Sequence, residues 1–127
     1  LTIRQCSVLE IDNLGPIDFV YANHLLHHLS DANIHALLSS LSKLDQVQII
    51  VCDIYRSWTV YAGFYLISSI FFRNSFVRHD GLLSVRKGFT RGELRTFTAD
   101  AVPQGTAYEV KRMAPGHIVL LLRTEAF

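Results

Sequence analysis

Two rhythms of apolar and polar residues run along this chain, and each change of rhythm marks a predicted element. Ile17 to Ala22 (IDFVYA) and Val47 to Ile54 (VQIIVCDI) are short runs of β-branched and aromatic residues with almost no charge. Such runs suit strands buried on both faces, as in a parallel sheet. Between them, Ile34, Leu37, Leu38, Leu41 and Leu44 recur at the spacing of one helical face. Ser30 or Asp31 can cap that helix by accepting a hydrogen bond from a free backbone N–H. Lys43 falls near its far end, where the macrodipole favours a cation. Strand, helix and strand with short links predict a right-handed βαβ unit.

Leu1 to Ile11 reads as a further strand, closed by the turn residues Asn13-Leu14-Gly15-Pro16. Ser57 to Phe72 is a run of sixteen uncharged residues between Arg56 and Arg73, apolar all round a helical wheel. A transmembrane helix needs about 20 residues, so no stable membrane span is expected. A buried helix, or a helix that lids an apolar pocket, fits this run better. From Arg78-His79-Asp80-Gly81 to Phe89 a loop is expected, with Asp80-Gly81 shaping it. Thr90 and Glu93 match a capping box, which predicts a helix to about Ala101, ended by Pro103 to Gly105. Ala107 to Met113 alternates and His117 to Arg123 is almost continuously apolar, so Pro115-Gly116 between them predicts a β-hairpin.

The 127 residues suffice for one domain of ordinary size. Half of them are hydrophobic and 18% are charged, which excludes intrinsic disorder. Twelve basic residues against eleven acidic ones leave a net charge of +1, which argues against a nucleic-acid partner. Cys6 and Cys52 sit in apolar runs and are expected to be reduced structural thiols. With no secretory signal pattern, a cytoplasmic protein is expected.

The densest polar cluster is Asn23-His24-Leu25-Leu26-His27-His28-Leu29, at the carboxyl end of the strand ending near Ala22. Ligands of open α/β sheets bind beyond that end of the strands. His24, His27, His28 and Asp31 offer metal-ligating atoms, but nothing completes a tetrahedral set, and no metal is assigned. The alternative is a packed His28 with an exposed His24. Asp53-Ile54-Tyr55-Arg56 repeats the logic one strand over, where Asp53 can accept a substrate proton or pair with Arg56. His79 and Asp80 are a third candidate. The chain carries neither a G-x-S-x-G elbow nor a phosphate-cradling glycine loop.

Asp18-Phe19-Val20-Tyr21-Ala22-Asn23-His24-Leu25-Leu26-His27-His28-Leu29-Ser30-Asp31 closely resembles the fourth-strand motif of class I S-adenosylmethionine-dependent methyltransferases. That motif reads as an Asp-x-Val strand, a variable tip and a Leu-His-His-Leu-like helix start. Val51-Cys52-Asp53-Ile54-Tyr55-Arg56-Ser57 is similar to the fifth strand of a small-molecule subgroup. Arg78-His79-Asp80-Gly81, Ser84-Val85-Arg86 and Phe89-Thr90-x-x-Glu93-Leu94 follow in that subgroup's order, so the resemblance spans about Cys6 to Arg123.

The resemblance implies a partial Rossmann-like α/β sheet, mostly parallel with a C-terminal antiparallel hairpin and helices on both faces. The family's strand order is three-two-one-four-five-seven-six, with Leu1 to Ile11 as strand three and its adenine-side acidic position at Ser7. The family's glycine-rich cofactor loop and second-strand acidic residue have no counterpart within residues 1–127. The chain is therefore expected to be one truncated domain, the C-terminal part of a methyltransferase and inactive alone, with 57–81 as an apolar helix or lid insertion. Within the resemblance Ala22, Asn23 and His24 line the methionine end of S-adenosylmethionine. His27 is the first choice for a base or substrate contact, with Asp53 and Arg56 second, and Arg56, Trp58, Tyr61, Tyr65 and His79 are expected to face a small, apolar substrate. A rival expectation is a non-catalytic module that self-associates through the strand edge at Ile17 to Ala22 or through the apolar helix.

Overall fold

The computed structural model describes Ser7, Glu10, Ile11 and residues 16–72 and 75–124. At its centre lies β2 (Gln48–Ile54), which buries every second residue: Ile49, Val51 and Asp53. The first strand, β1 (Phe19–Asn23), runs parallel to it, with Val20 opposite Ile49 and Ala22 opposite Val51. On the other side β4 (His117–Arg123) runs antiparallel, setting Leu120 against Val51 and Ile118 against Asp53. Outermost is β3 (Ala107–Met113), antiparallel to β4. The order is β1-β2-β4-β3. Three strands thus share one direction and β4 alone is reversed, the mostly parallel sheet with a C-terminal hairpin that the sequence implies. The same order forms the end of the family's strand sequence.

The helix α1 (Asp31–Ser42) begins where Ser30 accepts from the Asn33 N–H at 3.3 Å, and it buries the predicted face: Ile34, Leu37, Leu38 and Leu41. The last helix, α4 (Arg91–Ala101), has the complete capping box, with Thr90 and Glu93 satisfying each other's backbone N–H groups. Together with Ile49, Val51, Val110, Ile118, Leu120 and Leu122 these two helices build one core. Side chains on the other sheet face include Phe19, Tyr21, Ile50 and Leu121, by the two-residue alternation of paired strands. Tyr21 is 58% exposed there.

Two expectations need correction. The stretch after Arg78 is not a loop: residues 78–87 belong to α3 (Phe76–Lys87), capped by Ser75. Gly81 breaks nothing because the close approach of a second helix requires it. A Cβ at that position would stand 2.3 Å from the Phe64 ring. That second helix, α2 (Trp58–Phe71), is the charge-free run, and it is not a buried helix. Ser68 is its one buried residue among those described, while Leu66, Ile70 and Phe71 are 63%, 74% and 73% exposed. Its apolar residues ring the whole helix, so a single packed flank leaves the rest in solvent.

The expected strand from Leu1 to Ile11 and the expected role of Cys6 lie outside the described residues, apart from Ser7, Glu10 and Ile11. There the Glu10 N–H donates to the Ser7 carbonyl at 3.0 Å, closing a turn. No helix among the described residues is long and apolar enough to cross a membrane.

Candidate active site

The chain leaves β1 by a sharp turn at His24, whose φ of 52° lies in the left-handed region that non-glycine residues seldom adopt. Its N–H is held by the Cys52 carbonyl at 2.8 Å. The turn drops the chain into a short 3-10 segment, Leu26–His28, which lies beside the end of β2. Leu26 is fully buried and anchors the segment in the core.

Asp53 is also fully buried, and its carboxylate organises this junction. One oxygen, Oδ2, accepts from the Leu26 N–H at 2.8 Å and the His27 N–H at 3.3 Å. The other, Oδ1, accepts from the Ile54 N–H at 2.7 Å and lies 2.7 Å from His27 Nδ1. A carboxylate can only accept, so Nδ1 carries the ring proton and Nε2 is left with a lone pair. His27 is itself buried and borders a cleft of about 460 Å³ shared with His28, Arg56, Lys87, Phe89 and Phe97. A base held in one tautomer at the mouth of a cleft is equipped to take a proton from a bound hydroxyl.

The two strand-tip clusters singled out in the sequence are thus one site, but their internal pairing differs from the expected alternatives. Arg56 does not pair with Asp53; its guanidinium meets Glu93 at the start of α4. The Arg56 N–H donates to the Phe89 carbonyl at 2.9 Å, and the Phe89 N–H returns to Ile54. Gly88 permits this approach, because a Cβ there would fall 2.5 Å from the Ile54 carbonyl oxygen. Burial alone would raise the Glu93 carboxyl. Hydrogen bonds from the Thr90 N–H and hydroxyl and from Arg56 outweigh it and hold the group below its ordinary value of 4.5.

A group depressed on folding stabilises the protein above its unfolded value, and that contribution is lost as pH falls through the folded value. Glu93→Gln should therefore flatten the pH dependence of stability below about pH 4.5, read from urea midpoints across an acid series. A slope equal to the parent's would show that the Thr90–Glu93–Arg56 cluster carries no such linkage.

Trp58 and Tyr61 stack at 5.9 Å and line a second cleft, of about 470 Å³, with Arg56, Val85 and Arg86. Tyr65 lies further along α2 with the Arg78 guanidinium 4.7 Å above its ring, and His79 is exposed on α3. Neither Tyr65 nor His79 is among the described residues lining these two clefts. Ala22 is half-buried in β1, and Asn23 ends it in an exposed position.

The structure adds Glu93 as the partner of Arg56, Lys87 on the cleft wall and His117, whose ring lies 5.5 Å from that of His24. The capping-box spacing marks Glu93 only as a helix-start residue, and no spacing in the sequence points to its pairing with Arg56 or to Lys87 and His117, because each arrives from a distant element. His24, His27 and Asp53 bring ligating atoms within 4.8 Å of one another, but the Asp53 oxygens are already occupied by four donors. Burial and then the Asp53 charge push the Cys52 thiol up, so it is no ready nucleophile.

Neither a family model nor a curated protein matches the sequence. Solved structures do match its fold. Human N-acetylserotonin methyltransferase in complex with S-adenosylmethionine superposes with a TM-score of 0.61 at 13% identity, over 97% of this chain and 33% of that one. An O-methyltransferase family protein from Burkholderia thailandensis gives 0.60 at 12% identity, over 97% and 35%. A candidate O-methyltransferase from Nostoc punctiforme gives 0.60 at 16% identity, over 94% and 34%. The chain has the methyltransferase fold over about a third of the length of these proteins.

Proposed function

We propose that this chain forms the C-terminal part of an S-adenosylmethionine-dependent methyltransferase acting on a small, apolar molecule. The observation that carries the reading is the buried His27–Asp53 pair at the carboxyl ends of β1 and β2, bordering a cleft. S-adenosylmethionine, where bound, supplies the methyl group on an activated sulfonium. Small Ala22 and exposed Asn23, at an open strand end, suit one wall of a site for its methionine end, with His24 turning the chain away. A glycine-rich cradle for the rest of the cofactor belongs, on this proposal, to sequence outside these residues, so the chain alone does not turn over.

In this role His27 Nε2 accepts the proton of the methyl acceptor, and Asp53 steadies the positive charge that then develops on the ring. The Arg56–Glu93 pair holds the cleft wall, while Trp58 and Tyr61 offer flat apolar surface to a substrate. Tyr65 and His79 stay in the proposal as substrate contacts from outside the two clefts, which neither of them lines. The test is transfer of labelled methyl groups from S-adenosylmethionine to a panel of hydroxylated apolar acceptors, by the protein that contains this chain. Labelled product supports the proposal; no product, together with no heat of cofactor binding, overturns it.

One observation favours a second reading. The outer side of β1 pairs with no described strand, and Phe19 and Tyr21 are 50% and 58% exposed. Unpaired apolar edges are sites of strand addition. A non-catalytic module would use that edge for self-association, and light scattering would then show a dimer that Tyr21→Lys dissolves.

A further inference from the structure

Among the described residues, Arg56, Ser57, Trp58, Tyr61, Val85 and Arg86 wall the cleft at the start of α2. At about 470 Å³ it has the size of a site for a small organic ligand. The planes of the Trp58 and Tyr61 rings lie within 21° of each other, and Trp58 is 78% exposed. The pair is thus a flat aromatic platform, open to solvent at its Trp58 end. Such a surface takes a planar ring by offset stacking.

Charge beside the platform is not balanced. Glu93 offsets Arg56, to which it is joined at the start of α4. Arg86 is exposed near the end of α3, and no ion pair or hydrogen bond joins it to another described residue. None of the described lining residues is acidic. Asp80, the acid of α3, lies six residues back, about 9 Å along the helix axis. The dipole at the end of α3 favours a cation, but Lys87 also stands there, and it borders the His27 cleft instead. The Trp58 cleft is left with one uncompensated guanidinium. A guanidinium presents a planar fork of N–H donors that matches a carboxylate. A phosphate monoester carries close to two negative charges, and one of them would go unmatched here.

We propose that this cleft binds an aromatic carboxylate as the methyl acceptor, its ring stacked on Trp58 and Tyr61 and its carboxylate at Arg86. The inference rests on the reading of the chain as part of a methyltransferase, and it narrows the apolar substrate to one with a single anionic group. Arg56 borders both this cleft and the one that His27 lines, which makes the two clefts neighbours.

Trp58 is the chain's one tryptophan, so its fluorescence reports on the cleft directly. The test is titration of the 127-residue chain with para-hydroxyphenylacetate and with its methyl ester, which keeps the ring and removes the charge. The acid should bind about fivefold more tightly than the ester, and the preference should shrink as salt is added. Arg86→Gln should abolish the preference and leave ester binding and circular dichroism unchanged, because Arg86 is exposed and joined to no other described residue. Tyr61→Leu should weaken acid and ester alike, by about threefold. Equal affinity for acid and ester, no fluorescence response to either, or a preference that survives in the Arg86→Gln variant would each overturn the proposal. Methyl transfer to neutral acceptors alone, by the protein that contains this chain, would overturn it and leave the methyltransferase reading standing. A carboxylate preference with no methyl transfer to any acceptor would do the reverse.

Discussion

Asp53→Asn is expected to reduce methyl transfer by the protein containing this chain on the order of a thousandfold, while leaving it folded. The reason lies in the four donors around the carboxylate. An asparagine must place its NH2 group where one oxygen was. At the Oδ2 position it would face two backbone N–H groups, those of Leu26 and His27. At the Oδ1 position it faces the Ile54 N–H and the His27 ring.

The second placement leaves fewer donors opposed, so the amide donates to His27 Nδ1. The ring proton then moves to Nε2, and the nitrogen proposed to receive the acceptor's proton already holds one. The half-buried Ile54 N–H goes unpaired, at a cost of about 1 kcal/mol in a urea melt. His27→Ala should give a loss of the same order, and the double variant should lose little beyond either single one, because the two residues act as a unit. Normal turnover by either single variant would remove the pair from the mechanism.

The second large effect concerns Leu26. Its side chain is fully buried among the core residues, and its N–H is one of those that Asp53 accepts. Leu26→Ala deletes a buried side chain from a well-packed site and should cost about 3 kcal/mol in chemical denaturation. It should also loosen the 3-10 segment, so that activity falls further than an equal loss of stability elsewhere would cause. Leu66→Ala, on a residue 63% exposed, is the matched control and should stay within about 0.5 kcal/mol of the parent. If both substitutions cost the same, Leu26 does not anchor the site.

Which parts of this were visible in the sequence follows from the range of the forces involved. The faces of α1, the capping box of α4 and both strands of the hairpin are set by contacts within a few residues of chain, and periodicity and capping chemistry report them directly. The α3 helix was missed for a physical reason. Gly81, with Asp80 before it, has the local chemistry of a turn, yet here the glycine makes room for Phe64. The excess exposure of α2 was also hidden, since a helix apolar on every side does not declare how many sides will find partners.

The site divides in the same way. Its two halves were legible as polar clusters at strand ends, because the βαβ pattern fixes where strands stop. The pairing inside it was not. Two partners lay within reach of Asp53, and the choice of His27, which left Arg56 to Glu93, depends on residues 26 and 37 positions distant in the chain. The sequence by itself determined the four strands, the helices α1, α2 and α4, the buried face of α1 and which residues reach the carboxyl ends of β1 and β2. Only the tertiary structure decided who pairs with whom there, and which apolar residues stay uncovered. Both are set by the packing of distant elements against one another, which local pattern does not encode.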